Sequence, residues 1–299
     1  MTTTEPFDES ADVDASDARD TPRLPVVVAE ELVDALETGW LDRTPVDDSL
    51  MRRYVIGYAR WLETTARAAG QPVLRTDDVV AVDPHGPHPL LNCGLLVRPL
   101  APDRVHEVVD ALQRFYGGGA GAPYSLFSPW PTSVDGLHVD GHPPVMVRMP
   151  GDVPDAAGTA GGLEVREVTT TALLHDYEQV LAAGFGDAPS DATVPPGALL
   201  HPSSLHVPGM RMFVGSADGR AVTGATSIVD HGVNHIERVA TVPSARGRGF
   251  AVAITWAAML VDPTLPAMLN ASDMGRPVYE RMGYVALDRW TLLIGQRQG

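Results

Sequence analysis

Two glycines one residue apart, Gly247 and Gly249, separate a strand-like run from a helix-like one, and this turn constrains the fold more than any other feature. Before it, His235-Ile236-Glu237-Arg238-Val239-Ala240-Thr241-Val242-Pro243 reads as a strand that stops at proline. After it, Val252 to Val261 is apolar and reads as a buried helix. The turn itself is Arg246-Gly247-Arg248-Gly249-Phe250-Ala251. A strand, a glycine turn and a helix start aim several backbone N–H groups at one point. The helix end adds about half a positive charge there, so the turn can hold a diphosphate without dedicated lysines. Glycine at both positions lets a ligand approach the backbone closely.

Neither common nucleotide signature is present. The P-loop pattern G-x-x-x-x-G-K-[ST] is missing, and G-x-G-x-x-G fails because Val252 stands in the last place. The residues do match [Q/R]-x-x-G-x-[G/A], as Arg246-x-x-Gly249-x-Ala251, with Thr241-Val242-Pro243 just upstream. A second block follows, Leu269-Asn270-Ala271-Ser272 and then Gly275-Arg276-Pro277-Val278-Tyr279-Glu280-Arg281-Met282-Gly283-Tyr284. It reads as a strand followed by a short helix. Through these two blocks, in this order, the chain resembles the GNAT superfamily of acyl-CoA-dependent N-acetyltransferases.

Pattern alone assigns the rest of the C-terminal part. Leu163 to Val168 is expected as a strand, Thr171 to Ala183 as a helix closed by Gly184, and Pro195 to Leu205 as a second short helix and loop. Met212 to Ser216 and Ala221 to Val229 make a hairpin about Asp218-Gly219. The strand to Val242, the turn, the helix to Val261, a strand at Ala267 to Ala271, the Tyr279 helix and a last strand, Arg289 to Ile294, complete it. That βααβββαβαβ order is also the layout the resemblance implies. The fold class is therefore α/β with a mixed sheet, a GNAT fold in the C-terminal half.

Ahead of it, Met51 to Leu62 places Tyr54, Tyr58, Trp61 and Leu62 on one helical face within a mainly helical stretch from Leu24 to Gly70. Val79 to Val82 and Leu90 to Val97 read as strands, Pro102 to Tyr116 as a helix with Val105, Val108, Val109 and Leu112 on its apolar side. Tyr124 to Pro131 and Val145 to Met149 read as further strands. This half resembles the amino-terminal half of two-module GNAT proteins. It lacks the coenzyme turn, so a smaller GNAT-like α/β domain and a plain α/β support domain both remain open. The organisation expected is an acidic tail over 1–22, a first domain over 23–150, a Pro/Gly-rich linker over 151–161 and a catalytic domain over 162–299.

Composition narrows the function. The net charge of −16 argues against binding nucleic acid, which needs a basic surface. Part of it crowds the first twenty residues, which are expected to be disordered and lack the pattern of a secretory signal. No apolar run is long enough to span a membrane. The single cysteine, Cys93, excludes a disulfide framework and reads as a small buried hydrophobe. His85 and His88 lie in a Pro/Gly turn, so no metal is expected there. A cytoplasmic enzyme is expected, monomeric or homodimeric, without metal.

The resemblance supplies roles. Acetyl-CoA is the implied cosubstrate and a primary amine the implied acceptor. Arg246, Gly247, Arg248, Gly249, Phe250, Ala251 and Val252 would hold the diphosphate. The backbone of Val239, Ala240 and Thr241 would pair with the pantetheine arm on a strand splayed from its neighbour. Ser272 stands where many relatives carry asparagine, and its hydroxyl would touch the coenzyme. Tyr279 is the candidate acid for the departing thiolate, a phenol needing only modest tuning. His235 and Glu237 share a strand face and are the candidate bases, relaying a proton through water, with a strand-edge polar pair as the other reading. His201 and His206 flank a nearby loop. Tyr124, Phe127 and Trp130 would wall the acceptor cleft if the first domain leans over the second. With no cysteine near the motif, direct attack by the amine is expected. The alternatives are a non-catalytic acyl-CoA-binding or regulatory module and transfer of a longer acyl group.

Overall fold

The computed structural model describes residues 49–86, 88–117, 123–185 and 194–297. The expected acidic tail, and the expected helical stretch as far as residue 48, lie outside the described residues. Helix α1 (Leu50–Ala68) begins at Ser49, whose hydroxyl accepts the Arg52 N–H at 3.2 Å, an N-cap that satisfies one free amide of the first turn. Its buried side carries Tyr54, Tyr58, Trp61 and Leu62, as the spacing predicts.

Three short strands follow, β1 (Val73–Arg75), β2 (Val79–Val82) and β3 (Cys93–Leu96). The strand expected from Leu90 starts only at Cys93. The buried amide of Asn92 accepts the Gly86 N–H and donates back to the Gly86 carbonyl, folding the preceding residues into a turn. A 3₁₀ turn, Pro102–Arg104, opens helix α2 (Val105–Tyr116). Then come β4 (Tyr124–Ser128), β5 (Leu137–Gly141) and β6 (Pro144–Arg148). Strand β5 was not expected: its alternation rests on two apolar residues, Leu137 and Val139, and most of the strand is exposed.

The remainder runs β7 (Glu164–Glu167), α3 (Thr171–Phe185), β8 (Met210–Ala217), β9 (Arg220–Asp230), β10 (Val233–Thr241), α4 (Phe250–Met259), β11 (Ala267–Asn270), α5 (Arg276–Arg281), β12 (Val285–Arg289) and β13 (Thr291–Gly295). Gly184 does not stop α3. A Cβ there would come within 2.8 Å of the Ala240 Cβ, so this glycine serves close helix-to-strand packing. The second helix expected over Pro195 to Leu205 is only a 3₁₀ turn, Pro202–His206. The buried carboxylate of Glu178 accepts the N–H groups of Gly197, Leu199 and Leu200 at 2.8–2.9 Å, so those amides bind a side chain instead of forming a helix. The β8–β9 hairpin turns at Asp218 (φ 53°) and Gly219 (φ 75°), the two left-handed residues that match strand twist.

The last expected strand, Arg289 to Ile294, is mainly β13; Arg289 ends β12, a further strand that was not expected, and the fully buried Trp290 separates the two. The break matters because the two strands belong to different sheets. One sheet has the order β1-β2-β3-β4-β13-β5, the other β12-β6-β11-β10-β9-β8-β7. Strand β6 precedes the 151–161 segment yet sits in the second sheet, antiparallel to both β11 and β12. Strand β13 follows that segment yet lies between β4 and β5 in the first. The sheets thus exchange strands across the linker, each completing the other.

Candidate active site

Strands β10 and β11 lie side by side and parallel only at their starts, where Asn234 pairs with Ala267 and His235 with Met268. Beyond that point they diverge. On its other side β10 carries a bulge, because Glu237 faces Thr226 while Ala240 faces Gly224. The extra residue leaves the ladder locally unpaired and bends the strand. Arg238 takes up the bend with φ 53°, a left-handed conformation uncommon outside glycine. Tyr177 of α3 holds it there: its hydroxyl lies 3.0 Å from the Arg238 carbonyl, to which it donates, and 2.8 Å from the Thr226 hydroxyl. Gly224 makes this possible, since a Cβ there would meet the Tyr177 ring at 2.4 Å.

The turn after β10 has the backbone the two glycines predict. Gly247 and Gly249 have φ of 79° and 81°, and Gly249 caps α4. The first α-helical bond runs from Ala253 N–H to the Gly249 carbonyl, leaving the amides of Phe250, Ala251 and Val252 without an intrahelical acceptor. Among the described residues, nothing beyond the adjoining chain lies within 4 Å of where a Cβ would stand on either glycine. The arginines work locally. Arg246 donates to the Thr241 carbonyl at 3.2 Å and to the Gly184 carbonyl at 2.9 Å, tying the turn to β10 and α3. Arg248 lies over the Phe250 ring at 4.5 Å, while that ring is buried against Ala217, Val222 and Ala245. Phe250 therefore offers a ligand its amide and not its ring.

A cavity of about 810 Å³ reaches the open side of the splay, where Glu237, Arg238, Val239, Asn270, Ser272 and Tyr279 line it. Its far wall is apolar and comes from both halves of the chain: Tyr58, Trp61 and Leu62 of α1, Phe127 of β4, Leu181 of α3 and Leu200 of the loop fixed by Glu178. Phe127 alone of the three expected aromatics lines it. Tyr124 instead stacks on Tyr116 at 4.1 Å, and Trp130 packs beside the core of the first sheet. His201 is on the wall with its Nδ1 2.9 Å from the Ser203 hydroxyl, whereas His206 is exposed in the 3₁₀ turn. Cys93 also borders the cavity, but burial pushes its thiol up to about 12 and keeps it un-ionised.

The two candidate bases part company. Glu237 reaches the cavity, and burial lifts its carboxyl to about 8, against smaller opposing effects of a hydrogen bond from Tyr54 and the nearby Arg238 charge. The Tyr54 hydroxyl donates to Glu237 Oε1 at 2.9 Å. His235 sits behind, stacked on the Tyr54 ring at 4.9 Å and pressed against Gly57, where a Cβ would come within 2.4 Å of Nε2. Burial lowers its pKa to about 3, and neither ring nitrogen has a hydrogen-bond partner among the described residues. The expected histidine–glutamate pair is thus a tyrosine–glutamate pair in the structure, with His235 supporting the tyrosine ring.

Tyr279 projects from α5 into the junction of cavity and splay, edge-on to Tyr284 at 5.7 Å. Burial and then the Glu237 charge raise its phenol well above the ordinary value, so it stays protonated. Ser272 uses its hydroxyl to accept the Gly275 N–H at 3.1 Å, which turns the chain into α5. Beside it on the cavity wall stands Asn270, whose buried side-chain oxygen and nitrogen have no hydrogen-bond partner among the described residues.

Residues 201–291 match the family model described as acetyltransferase (GNAT) domain. The chain carries a GNAT domain. Among solved structures it is similar to a GCN5-related N-acetyltransferase from Kribbella flavida, 17% identical over 79% of this chain and 95% of that one, with a TM-score of 0.54. A putative GNAT-family acetyltransferase from Novosphingobium aromaticivorans is 18% identical over 80% and 98%, with a TM-score of 0.50. A GCN5-related N-acetyltransferase from Sphaerobacter thermophilus is 16% identical over 81% and 93%, also at 0.50. No curated protein matches the sequence. At these identities the likeness shows the fold, and it extends beyond the matched domain to the first sheet, as a second GNAT-like half requires.

Three residues at or behind the splay were not singled out for function by sequence reasoning. Asn270 belonged to the second motif block but was read only as strand. Tyr54 was legible as a helix-face aromatic, yet nothing local says that its hydroxyl reaches Glu237. Arg238 lies inside a run that reads as uninterrupted strand, and no glycine or proline before the terminal Pro243 announces the bulge.

Proposed function

We propose that this protein transfers an acyl group, acetyl in the first instance, from its coenzyme A thioester to a primary amine. The observation that carries the reading is the meeting of three features in one place: the splay of β10 from β11, Glu237 and Tyr279 beside it, and the amide-rich turn at its end. The free amides from Phe250 to Val252, with Gly247 and Gly249 keeping their approach open, suit a diphosphate. The unpaired edge of β10 from Val239 to Thr241, and the unpartnered amide of Asn270, suit the amide-bearing pantetheine arm. The coenzyme supplies an activated thioester carbonyl.

The residues of this chain do the rest. An ammonium group at neutral pH cannot attack, and only about one lysine-like amine in 2,000 is neutral. Glu237 at about 8 is a base matched to that task, taking a proton from the amine as its nitrogen bonds to the carbonyl carbon. As the carbon–sulfur bond breaks, Tyr279 offers its phenolic hydrogen to the sulfur and recovers a proton from solvent or from Glu237. Products are an amide and a free thiol. Burial keeps Tyr279 protonated, and so able to donate, until negative charge develops on the sulfur.

Tyr279→Phe tests this reading. Thiol release with acetyl-CoA over an amine panel should fall by about 100-fold in kcat, while coenzyme affinity by titration calorimetry stays within about threefold. A non-catalytic acyl-CoA sensor would bind the coenzyme and release no thiol in the unaltered protein. An enzyme for longer chains would prefer longer thioesters.

A further inference from the structure

Bulk charge and the acceptor cavity point in opposite directions. A net charge of −16 favours a cationic acceptor in a general way, yet the cavity wall holds a cation of its own. Arg238 is brought there by the bulge: in a regular strand it would face away from Glu237, whereas here both residues line the same cavity. Its guanidinium lies over the Trp61 ring at 4.8 Å. Among the described residues it makes no ion pair, and its Nη1 is buried without a hydrogen-bond partner. A guanidinium presents five N–H donors in a rigid fork, and leaving the Nη1 donors buried without an acceptor is costly.

The arrangement has a built appearance in chemical terms. Two independent contacts hold Arg238, Tyr177 at its carbonyl and Trp61 beneath its guanidinium. The cavity it lines is also lined by apolar side chains, among them Leu62, Leu181 and Leu200. A carboxylate matches the guanidinium fork, while a second cation placed there would be repelled.

We propose that the acceptor is an amphipathic amino acid-like molecule: an amine for Glu237, a carboxylate for Arg238 and an apolar body for the α1 and α3 wall. This rests on the acyltransfer reading for the role of the amine, but the recognition of the carboxylate stands on Arg238 alone. It narrows the acceptor class, setting polyamines and exposed protein lysines aside.

The test uses matched twins that differ only in the carboxylate, phenylalanine against phenethylamine and leucine against 3-methylbutylamine. Titration calorimetry on the full chain, with and without coenzyme A, reads binding; thiol release from acetyl-CoA reads turnover. The carboxylated twin should bind about tenfold or more tightly, and Arg238→Met should bring the ratio to within about threefold. Arg238→Lys should retain part of the preference, which guards against mere misfolding of the methionine variant. Equal binding of the twins to the unaltered protein, or a preference that survives Arg238→Met, overturns the proposal. Preference in binding without thiol release from any acceptor would keep the carboxylate site and defeat the acyltransfer reading instead.

Discussion

The proposed coenzyme side and the proposed acceptor side of this site are made from different materials. The first is backbone: free amides at the start of α4, two left-handed glycines and the bare edge of β10, all within residues 239–252. The second is side chain, assembled from α1, β4, α3, β10, β11 and α5 over more than two hundred residues of sequence. A backbone site needs few particular residues and needs them in fixed order, so it leaves a short motif. A side-chain cavity needs only the right shapes from many elements, so it leaves none. The same contrast explains how a fold can keep its coenzyme while its acceptor changes.

The sharpest way to break this comparison is to cut the chain at the linker. If the two sides were separable, residues 162–299 alone would fold and bind coenzyme A. The exchanged strands predict otherwise. Without β6, strands β11 and β12 lose their shared partner, and β13 is left without β4 and β5. The core residues Val145, Met146 and Val147, and the α1 wall of Tyr54, Tyr58 and Trp61, leave with them. The expected outcome is loss of cooperative unfolding and of near-ultraviolet circular dichroism. A fragment that melts sharply and binds the coenzyme would show the halves to be independent.

Legibility followed the same line. The glycine turn, its helix, the β8–β9 hairpin and the Tyr279 helix were readable because each is decided by residues adjacent in sequence. The bulge at Arg238 was not, because its cause is Tyr177 resting on Gly224, two elements away. Nor was the passage of β13 into the first sheet, since a strand's pattern says which face is buried and not which neighbour it takes. Pairing Glu237 with His235 on the strand face was sound geometry for a regular strand. What it lacked was Tyr54, which covers the histidine and takes the carboxylate.

A second prediction probes the acceptor side through Glu237→Gln. Activity should fall by about 10²–10⁴ in kcat/KM with coenzyme affinity unchanged, because a base of this kind contributes about that much. In the unaltered protein kcat/KM should rise with pH to a plateau above about 8, and the limb should vanish in the variant. Stability carries the same signature. The raised carboxyl keeps a proton in the folded state that the unfolded chain loses near 4.5, so folding stability falls as pH climbs toward 8. His235, lowered to about 3, has the opposite slope up to its ordinary 6.5 and masks the effect there. Between about pH 6.5 and 8 only Glu237 of this pair titrates, and there the glutamine variant should gain melting temperature relative to the parent. Equal slopes for the two proteins across that window would mean that the carboxyl is not held protonated.

On the coenzyme side the corresponding probe is Gly249→Ala. Space is not the obstacle, for nothing lies within 4 Å of the added methyl group. The cost is the left-handed φ of 81°, about 1–2 kcal/mol for an L-residue. The variant should melt lower and bind coenzyme A about 5- to 30-fold more weakly, since the amides it displaces are the proposed ligand contacts. The matched acceptor twins should keep their relative affinities. A change in that ratio would mean that the turn and the cavity are coupled, and the two sides less distinct than their construction implies.

The smallest effect crosses between the halves. Tyr54 belongs to α1, Glu237 to the opposite sheet, and one hydrogen bond of 2.9 Å joins them. Because the hydroxyl donates to the carboxylate, it favours the charged form and holds the Glu237 pKa below where burial alone would leave it. Tyr54→Phe keeps the ring that stacks on His235 and removes only that donor. The limb in kcat/KM should therefore move upward from about 8, by less than about one pH unit, the value of a single hydrogen bond of roughly 1 kcal/mol. The plateau rate should change little, because Tyr54 positions the base without touching the acceptor. A limb that moved down would mean that the hydroxyl favours the protonated carboxyl, as its acceptor. Glu237 would then be the donor in that contact, and the proton it must release would be held by the helix that the first half of the chain contributes.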